Sequence, residues 1–322
     1  MKTEIVSAKA WSSALAILRK GETVALPTET VYGLGADAFD PIAIAKIFEA
    51  KERPRFDPLI VHLPDRDWLE RVAEIPAQDR QLLEKLVDRF WPGPFTIVLP
   101  RKSIVPEIVT AGMDTVAVRI SAHPIFGEII RAFGRPLAVP SANRFGRVSP
   151  TTAQHVLDEL PGRIPLIVDA GPTEHGIEST IVAVRDGKID ILRRGPVTPE
   201  QLSSFAEVGI ITSAEKISAP GQLPSHYAPK TLLRLIDNVN SFSPAEDQRV
   251  GLLIWNPVEP KEGFAATRRL SERGDFREAA ANLFRQLREL DQLDLDLIVA
   301  EPVPEEGLGA AIMDRLRRAS QR

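Results

Sequence analysis

The chain of 322 residues contains no cysteine, and this absence excludes several kinds of site. Disulfide bonds, zinc clusters held by cysteine and thiol nucleophiles are all excluded, and the composition fits a reducing compartment. The sequence also lacks an apolar run long enough to cross a membrane, and its first residues show no signal-peptide pattern. We therefore expect a cytoplasmic protein without membrane contact.

Basic residues are not in excess either. The chain has 40 Lys and Arg residues against 44 Asp and Glu residues, which gives a formal net charge of −4. Because general nucleic-acid binders rely on an excess of cations, RNA binding is not expected to be the main role. The histidines show no metal-ligand spacing, so no protein-held metal site is predicted for His62, His123, His155, His175 and His226.

The length favours two domains, and the pattern along the chain changes near its last third. Residues 1–208 mix helical patterns with short apolar runs, which predicts a twisted mixed α/β sheet with helices. Residues 209–230 are rich in proline and lack periodicity, so they are predicted to be a linker. Residues 231–322 alternate strands with helices, which is typical of a small Rossmann-like parallel α/β domain.

Capping residues, turn residues and the spacing of apolar residues also predict individual elements. Asp40 and Pro41 are typical of an N-cap and a first helical residue, and they predict a helix that runs into Lys51. Asp186-Gly187 predicts a hairpin turn between two strands. Further helical patterns cover 8–20, 79–90, 124–133, 150–160, 276–291 and a final stretch, GLGAAIMDRLRRA.

The stretch KERPRFDPLIVH places three cations before a buried strand. Arg55 is explained by the end of a helix, where the helix dipole favours cations. Lys51 and Arg53 lie close to a turn fixed by proline, and an arginine can bind two phosphate oxygens at once. We therefore predict that Lys51 and Arg53 bind an anion at the beginning of the strand.

Other polar residues occur at predicted strand ends. Arg119 lies in the strand VAVRI, where an unpaired charge would be costly, so it must pair or bind a ligand. Ser149-Pro150 is predicted to begin a helix, and a helix N-terminus attracts anions. Cations and hydroxyls from five separate segments thus gather at strand ends, among them Ser141, Asn143, Ser179 and Arg193.

Three weaker patterns leave alternatives open. PTETVYGLGADAF is predicted to be a loop, and its Gly33-x-Gly35-x-x-Ala38 is not taken as a dinucleotide fingerprint because no helix follows at once. His62 ends a buried strand, where a lone histidine is more often a core residue than a ligand contact. Ser141 lies outside a G-x-S-x-G pattern, which argues against a Ser-His-Asp hydrolase.

The chain resembles the YrdC-like domain in a series of motifs that occur in order along the sequence. They are LPTETVYGLGADA, the Lys51 loop, FWPGPFTIVL, VPSANRFG, GIESTIV and LRRGPV. Together with the carboxyl-terminal residues, the chain resembles the long, two-domain form of the threonylcarbamoyl-AMP synthases. The resemblance implies a nucleotidyltransferase that makes threonylcarbamoyl-AMP and pyrophosphate from L-threonine, bicarbonate and ATP, with magnesium accompanying ATP. The product would pass to the tRNA threonylcarbamoyl transferase machinery, which modifies an adenosine next to the anticodon, and direct tRNA contact would not be required.

The resemblance also implies roles for individual residues, with catalysis by positioning and no covalent nucleophile. Lys51 and Arg53 would be the catalytic phosphate-binding residues. ATP would be bound by Lys51, Arg53, Asp57, Thr115, Ser141, Asn143, Ser149, Arg193 and Tyr227. Threonine would be bound by Thr30, Tyr32, His62, Arg119 and Ser179.

The chain departs from the usual pattern at a few positions. Asp57 stands where Asn or His is common, and an ionised Asp57 would repel triphosphate unless it pairs with Arg55 or helps to hold magnesium. In the linker, Gln222 and Ser225 replace a methionine and a basic residue. Because the basic residue is missing, the linker is expected to bind the nucleotide more weakly. Ser121 stands where proline is common, and this change is expected to matter little.

Two further alternatives follow from the same resemblance. A carbamoyltransferase of the hydrogenase-maturation type shares the YrdC-like domain, but it carries cysteine-based zinc fingers that are absent here. The last domain shows no catalytic constellation and is compatible with an interaction module.

Overall fold

The computed structural model describes residues 2–211, 226–255 and 262–321. Most of the predicted linker, with Gln222 and Ser225, lies outside the described residues. The described residues form two compact units. The first contains 2–145, 150–173 and 178–211, and the second contains 146–149, 174–177, 226–255 and 262–321. The predicted boundaries at 208 and 231 stay predictions.

In the part of the chain that the structure describes, the first unit is built on one mixed sheet of eleven strands, which confirms the predicted fold class. The strands are β1 (Glu4–Ser7), β2 (Val24–Leu26), β3 (Gly33–Asp37), β4 (Ile60–His62), β5 (Phe95–Pro100), β6 (Thr115–Arg119), β7 (Leu137–Ala138), β8 (Leu166–Asp169), β9 (Thr180–Arg185), β10 (Lys188–Arg193) and β11 (Val208–Ile210). Their order across the sheet is β1-β8-β2-β3-β7-β4-β6-β5-β9-β10-β11.

The helices of this unit are mostly short. They are α1 (Ser12–Leu18), α2 (Pro41–Lys51), α3 (Leu69–Val72), α4 (Arg80–Phe90), α5 (Glu107–Thr110), α6 (Pro124–Phe133), α7 (Ala153–Glu159) and α8 (Pro199–Leu202), with 3-10 turns at Ala8–Ala10 and Arg66–Trp68. No helix in the described ranges is long and apolar enough to span a membrane.

Helix capping was predicted correctly in one case and incorrectly in another. Asp40 caps α2 as predicted, because its side chain accepts hydrogen bonds from the backbone of Ile42 and Ala43. The prediction that Ser149-Pro150 begins a helix is wrong. Helix α7 begins at Ala153, and Thr152 is its N-cap.

The two faces of the central strands differ in what they bury. Side chains alternate between the faces of a strand, so Val61 and Val118 point to one face and Ile60 and Ala117 to the other. Val61 and Val118 belong to the main hydrophobic core. Ile60 and Ala117 belong to a small separate cluster, which also contains Val98, Ile181, Ala183 and Leu192. The face that carries this small cluster, here called the open face, is the one on which polar side chains are found.

Strand β3 corrects the prediction of a loop over Pro27 to Phe39. Residues 33–37 pair antiparallel with β2 and then with β7, and the hairpin prediction at Asp186-Gly187 is confirmed by the pairing of β9 with β10. Glycine is rare in strands, which is why the sequence pattern was misleading. It is needed here because a Cβ atom added at Gly33 would lie 2.3 Å from Cγ1 of Val139.

Gly33→Ala is therefore expected to lower the free energy of unfolding by about 1–3 kcal/mol through overpacking. Gly35→Ala is the matched control, since its nearest contact would be 3.2 Å from a side-chain atom of Leu26. Urea denaturation of both variants would measure the difference. Equal losses in the two would contradict the explanation by close approach.

The second unit contains a parallel sheet in the order β12-β15-β13-β14 among its described residues. Its elements are β12 (Leu232–Leu235), β13 (Val250–Ile254), β14 (Ala266–Arg269), β15 (Leu297–Ala300), α9 (Phe276–Asp291) and α10 (Gly309–Ser320), with a 3-10 turn at Val239–Ser241. The predicted helix over 276–291 is confirmed, and β14 was missed.

Segment 146–149 packs within this unit. The guanidinium group of Arg288 on α9 donates to the carbonyls of Val148 and Ser149. The backbone N–H of Ala228 donates to the carbonyl of Gly146 at 2.8 Å.

Candidate active site

Three buried cations surround one buried carboxylate just before strand β4. The cations are Lys51, Arg53 and Arg193, here called the cation cluster, and the carboxylate is Asp57. Side chains of these types are almost never fully buried unless they are paired. Glu159 is a further buried carboxylate whose charge acts on Lys51, and the three cations still outnumber the two carboxylates. The cluster therefore has the charge to hold a polyanion.

Arg53 is the cation that pairs directly with Asp57. Nη2 of Arg53 lies 2.8 Å from Oδ2 of Asp57, and the guanidinium group also donates to the carbonyls of Asp57 and Pro58. Of the two alternatives raised for Asp57, pairing with Arg55 or holding magnesium, the first does not apply, because Asp57 pairs with Arg53 and Arg55 is exposed. Burial raises the pKa of Asp57, although the three neighbouring cations act in the opposite direction.

Lys51 holds a second loop in place. Its ammonium group donates to the carbonyls of Ser141 and Asn143, which lie about ninety residues further along the chain. Burial, and then the charge of Arg53, hold the pKa of Lys51 well below its usual range. The backbone of Ala142 in turn donates to the carbonyl of Tyr32 at 2.8 Å. Thus Lys51 brings together three of the segments predicted to form the site.

Arg193 connects the cation cluster with the strand ends on the open face. Its Nη2 donates to the hydroxyl of Ser179 at 3.0 Å, and its Nε donates to the Ser179 carbonyl at 3.1 Å. The Ser179 hydroxyl is also 2.8 Å from the hydroxyl of Thr96. Thr96 and Ser179 lie two positions before Val98 and Ile181, which belong to the small cluster of the open face. Since side chains alternate along a strand, Thr96 and Ser179 lie on the same face.

Arg119 is buried at the end of β6 and is paired with Glu29. Its Nη2 donates to Oε1 of Glu29, and its Nη1 lies 3.4 Å from the hydroxyl of Thr30. Nε of Arg119 is buried and has no hydrogen-bond partner among the described residues. An unsatisfied buried donor is costly, so this atom is a candidate contact for an acceptor on a ligand.

His62 lies beside Arg119 on the neighbouring strand. The two residues are register partners in the parallel pairing of β4 with β6. The His62 ring packs against Phe126 at a centroid distance of 5.1 Å. Burial, and then the charge of Arg119, hold the pKa of His62 well below its usual range, so the imidazole is neutral at pH 7.

The remaining predicted site residues are more dispersed. The hydroxyl of Tyr32 donates to the carbonyl of Gly171 at 2.7 Å, which engages it in the loop after β8. Thr115 is half-buried at the start of β6, about 13 Å along the strand from Arg119. Ser149 and Tyr227 are buried and belong to the second unit, where the Tyr227 ring stacks on Phe284 at 5.5 Å. The ligand contacts of these four residues stay predictions.

Comparison with known proteins finds matches to one enzyme family over nearly the whole chain. Residues 16–195 match the family model for Sua5, YciO and YrdC, described as telomere recombination, and residues 197–321 match the threonylcarbamoyl-AMP synthase C-terminal domain. The threonylcarbamoyl-AMP synthase of Pyrococcus abyssi is 40% identical over 326 residues, covering 95% of this chain and 93% of the relative. That of Bacillus subtilis is 41% identical, covering 96% and 92%. The chain belongs to the threonylcarbamoyl-AMP synthase family.

The resemblance to threonylcarbamoyl-AMP synthases seen in the sequence is thereby confirmed. The family identifies the chain as a nucleotidyltransferase enzyme. A crystal structure of P. abyssi Sua5 complexed with L-threonine superimposes with a TM-score of 0.88 at 36% identity, covering 99% of this chain and 98% of that one.

Sequence reasoning missed three buried polar residues beside the predicted site residues, namely Glu29, Ser121 and Thr96. Glu29 and Thr96 are hydrogen-bonded to the predicted residues Arg119 and Ser179, and Ser121 donates to Glu29. Glu29 gave a signal, because Arg119 was expected to need a partner and Glu29 lies within a motif already singled out. Thr96 and Ser121 gave none, since their contacts depend on how distant strands pair.

The described residues of the site include no cluster of side chains suited to hold a metal ion. Within the described ranges there is no cluster of three or more His, Asp or Glu side chains suited to a metal ion. Asp57 is the carboxylate at the cation cluster, and its ion pair with Arg53 together with the other two cations makes it a poor ligand for a divalent ion.

Proposed function

We propose that this chain forms threonylcarbamoyl-AMP and pyrophosphate from L-threonine, bicarbonate and ATP. The observation that supports this best is the joining of two groups of side chains. The cation cluster suits a triphosphate, and its Arg193 donates to Ser179. The Ser179 hydroxyl contacts Thr96 on β5, which pairs with β6, the strand that carries Arg119 beside His62.

ATP is proposed to bind with its phosphates on Lys51, Arg53 and Arg193. Charge-assisted hydrogen bonds to phosphate oxygens contribute about 1.5–3 kcal/mol each. The same proposal assigns contacts with ATP to Asp57, Thr115, Ser141, Asn143, Ser149 and Tyr227. Asp57 acts there as the counter-ion of Arg53, and Lys51 also fixes the loop that carries Ser141 and Asn143.

Threonine is proposed to bind at the other group of side chains. Arg119 takes the substrate carboxylate through Nε, the donor that has no partner within the described residues. Contacts with threonine are assigned to Thr30, Tyr32, His62, Arg119 and Ser179. The P. abyssi relative, which was crystallised with L-threonine, supports this choice of amino acid.

The reaction then needs positioning rather than a covalent nucleophile. The threonine amine adds to bicarbonate, water leaves with one hydrogen from the amine and the hydroxyl group of bicarbonate, and an N-carboxylate forms. A carboxylate oxygen attacks the α-phosphorus of ATP, and pyrophosphate leaves with the electrons of the broken P–O bond. Arg53 and the rest of the cation cluster stabilise the charge that develops on the phosphates.

Magnesium is proposed to enter as the counter-ion of ATP, held by phosphate oxygens. The product is proposed to serve threonylcarbamoyladenosine formation next to the tRNA anticodon. A separate transferase machinery would consume it, so this chain would not need to bind tRNA directly.

The test is pyrophosphate release by the purified protein with ATP and magnesium, leaving out threonine or bicarbonate in turn. Release that requires both supports the proposal. Hydrolysis of ATP that ignores threonine would indicate a nucleotide site with another acceptor. No reaction of ATP at all would overturn the proposed function.

Asp57→Asn is expected to lower the KM for ATP by about fivefold, or roughly 1 kcal/mol, because a negative charge near the triphosphate is removed. Since burial raises the pKa of Asp57, the carboxylate takes up a proton at a higher pH than an exposed aspartate. The difference from wild type should therefore shrink as the pH is lowered. A higher KM together with a greater requirement for magnesium would show instead that Asp57 holds the metal.

A further inference from the structure

The carboxylate of Glu29 is held at both of its oxygens. Oε1 accepts from Nη2 of Arg119, and Oε2 accepts from the hydroxyl of Ser121. All three side chains are buried, with 4%, 3% and 7% of their surface exposed for Glu29, Arg119 and Ser121. At this depth water does not replace a lost partner, so each contact restricts the others.

The direction of the Ser121 hydroxyl is fixed by a second contact. Its oxygen lies 3.3 Å from the backbone N–H of His123, which donates to it. Because this N–H occupies a lone pair of the Ser121 oxygen, the hydroxyl hydrogen points away from His123 and is donated to Glu29. His123 is itself fixed as the N-cap of α6. A proline at position 121 would have no hydroxyl and could not make either contact.

The electrostatics of Glu29 agree with this geometry. Burial alone would raise the pKa of Glu29, but the charge of Arg119 and the hydrogen bond from Ser121 outweigh it and lower that pKa. Glu29 therefore stays ionised as the counter-ion of Arg119. Backbone N–H groups of Glu29 and Ala122 contribute in the same direction. Without Ser121, the buried carboxylate would lose one of its side-chain donors and would draw more on these backbone groups and on the N–H groups of Arg119, which changes how Arg119 is held.

We infer that Ser121 is a positioning residue for the amino-acid substrate: it fixes Glu29, which holds Arg119 with Nε available to the substrate carboxylate. This inference rests on the proposed function, since it takes threonine as the ligand of Arg119. It departs from the expectation that Ser121 matters little.

The test uses three variants of the full chain. Ser121→Ala and Ser121→Val remove the hydroxyl, and Ser121→Thr keeps it with nearly the shape of valine. We expect the KM for threonine to rise about tenfold in the alanine and valine variants, the effect of losing one hydrogen bond to a charged group. Ser121→Thr should restore a threonine KM close to that of wild type, while kcat and the KM for ATP stay within about twofold in all variants.

Threonine binding by titration calorimetry separates this inference from the proposed function. A wild type that makes pyrophosphate with threonine, alongside variants that bind threonine equally well, would overturn the role of Ser121 and leave the function standing. Equal rises in both KM values, matched by a lower free energy of unfolding, would show a purely structural role and also overturn it. A wild type that neither binds threonine nor releases pyrophosphate would remove the proposed function and this inference together.

Discussion

Arg53→Ala is expected to reduce kcat/KM for ATP by roughly 10²- to 10⁴-fold, the loss of two charge-assisted hydrogen bonds to phosphate. The buried guanidinium group is paired with Asp57 and held by the carbonyls of Asp57 and Pro58, so its position is fixed before ATP arrives. Preorganised charge of this kind stabilises a leaving pyrophosphate without rearrangement. Pyrophosphate release at varied ATP concentration measures the effect.

Two controls separate chemistry from folding in this experiment. Arg55→Ala removes an exposed arginine of the same loop and should leave kcat/KM unchanged. Arg53→Ala also removes the direct ion-pair partner of the buried Asp57 and leaves only the more distant charges of Lys51 and Arg193, which lowers stability. The double variant Arg53→Ala/Asp57→Asn should recover stability but not activity. Turnover near that of wild type in the stable double variant would contradict the assignment of Arg53.

Arg119→Met is expected to raise the KM for threonine by roughly 10²- to 10³-fold, because the partner of the substrate carboxylate is removed. It should also lower the free energy of unfolding by about 3–5 kcal/mol, since Glu29 is left buried and unpaired. Arg119→Met/Glu29→Gln removes that charge while keeping an amide that can bond to Ser121. We expect this double variant to regain stability while threonine binding stays lost.

The stability loss in Arg119→Met should depend on pH in a defined direction. In wild type the pKa of Glu29 is lowered, so its contribution to stability is complete above its unfolded pKa and is lost as the pH falls through the lowered value. Without Arg119, burial raises that pKa, and the penalty is then largest at high pH and is relieved as the carboxylate takes up a proton. Urea denaturation at pH 5 and pH 8 should show the smaller loss at pH 5. A loss that is equal at both pH values would show that Glu29 is not the source of the penalty.

Local features of the fold were predictable from the sequence where short-range chemistry decides them. The cap at Asp40, the turn at Asp186-Gly187 and the apolar face of α9 each depend on residues close together in the chain. Strand β3 was not predictable in this way, because Gly33 is required by the close approach of Val139, which lies on a distant segment.

The same distinction applies to the site. The residue types that would hold phosphate and carboxylate stood out in the sequence, and the structure brings Lys51 to the Ser141 loop and His62 to Arg119. Their partners did not stand out. Arg119 is joined to Glu29 across ninety residues and Lys51 to Asn143 across about as many, and the packing of distant segments rather than local spacing determines such pairs.

The pairing of β1 with β8 has a consequence for how the protein is made. Glu4 lies opposite Leu166, so the first strand has no partner until more than half of the chain has been synthesised. At about 5–20 residues per second this amounts to a wait of roughly 8–30 s, far longer than the formation of a helix or a hairpin. The nascent chain therefore carries the residues of β1 without their sheet neighbour β8 for that time.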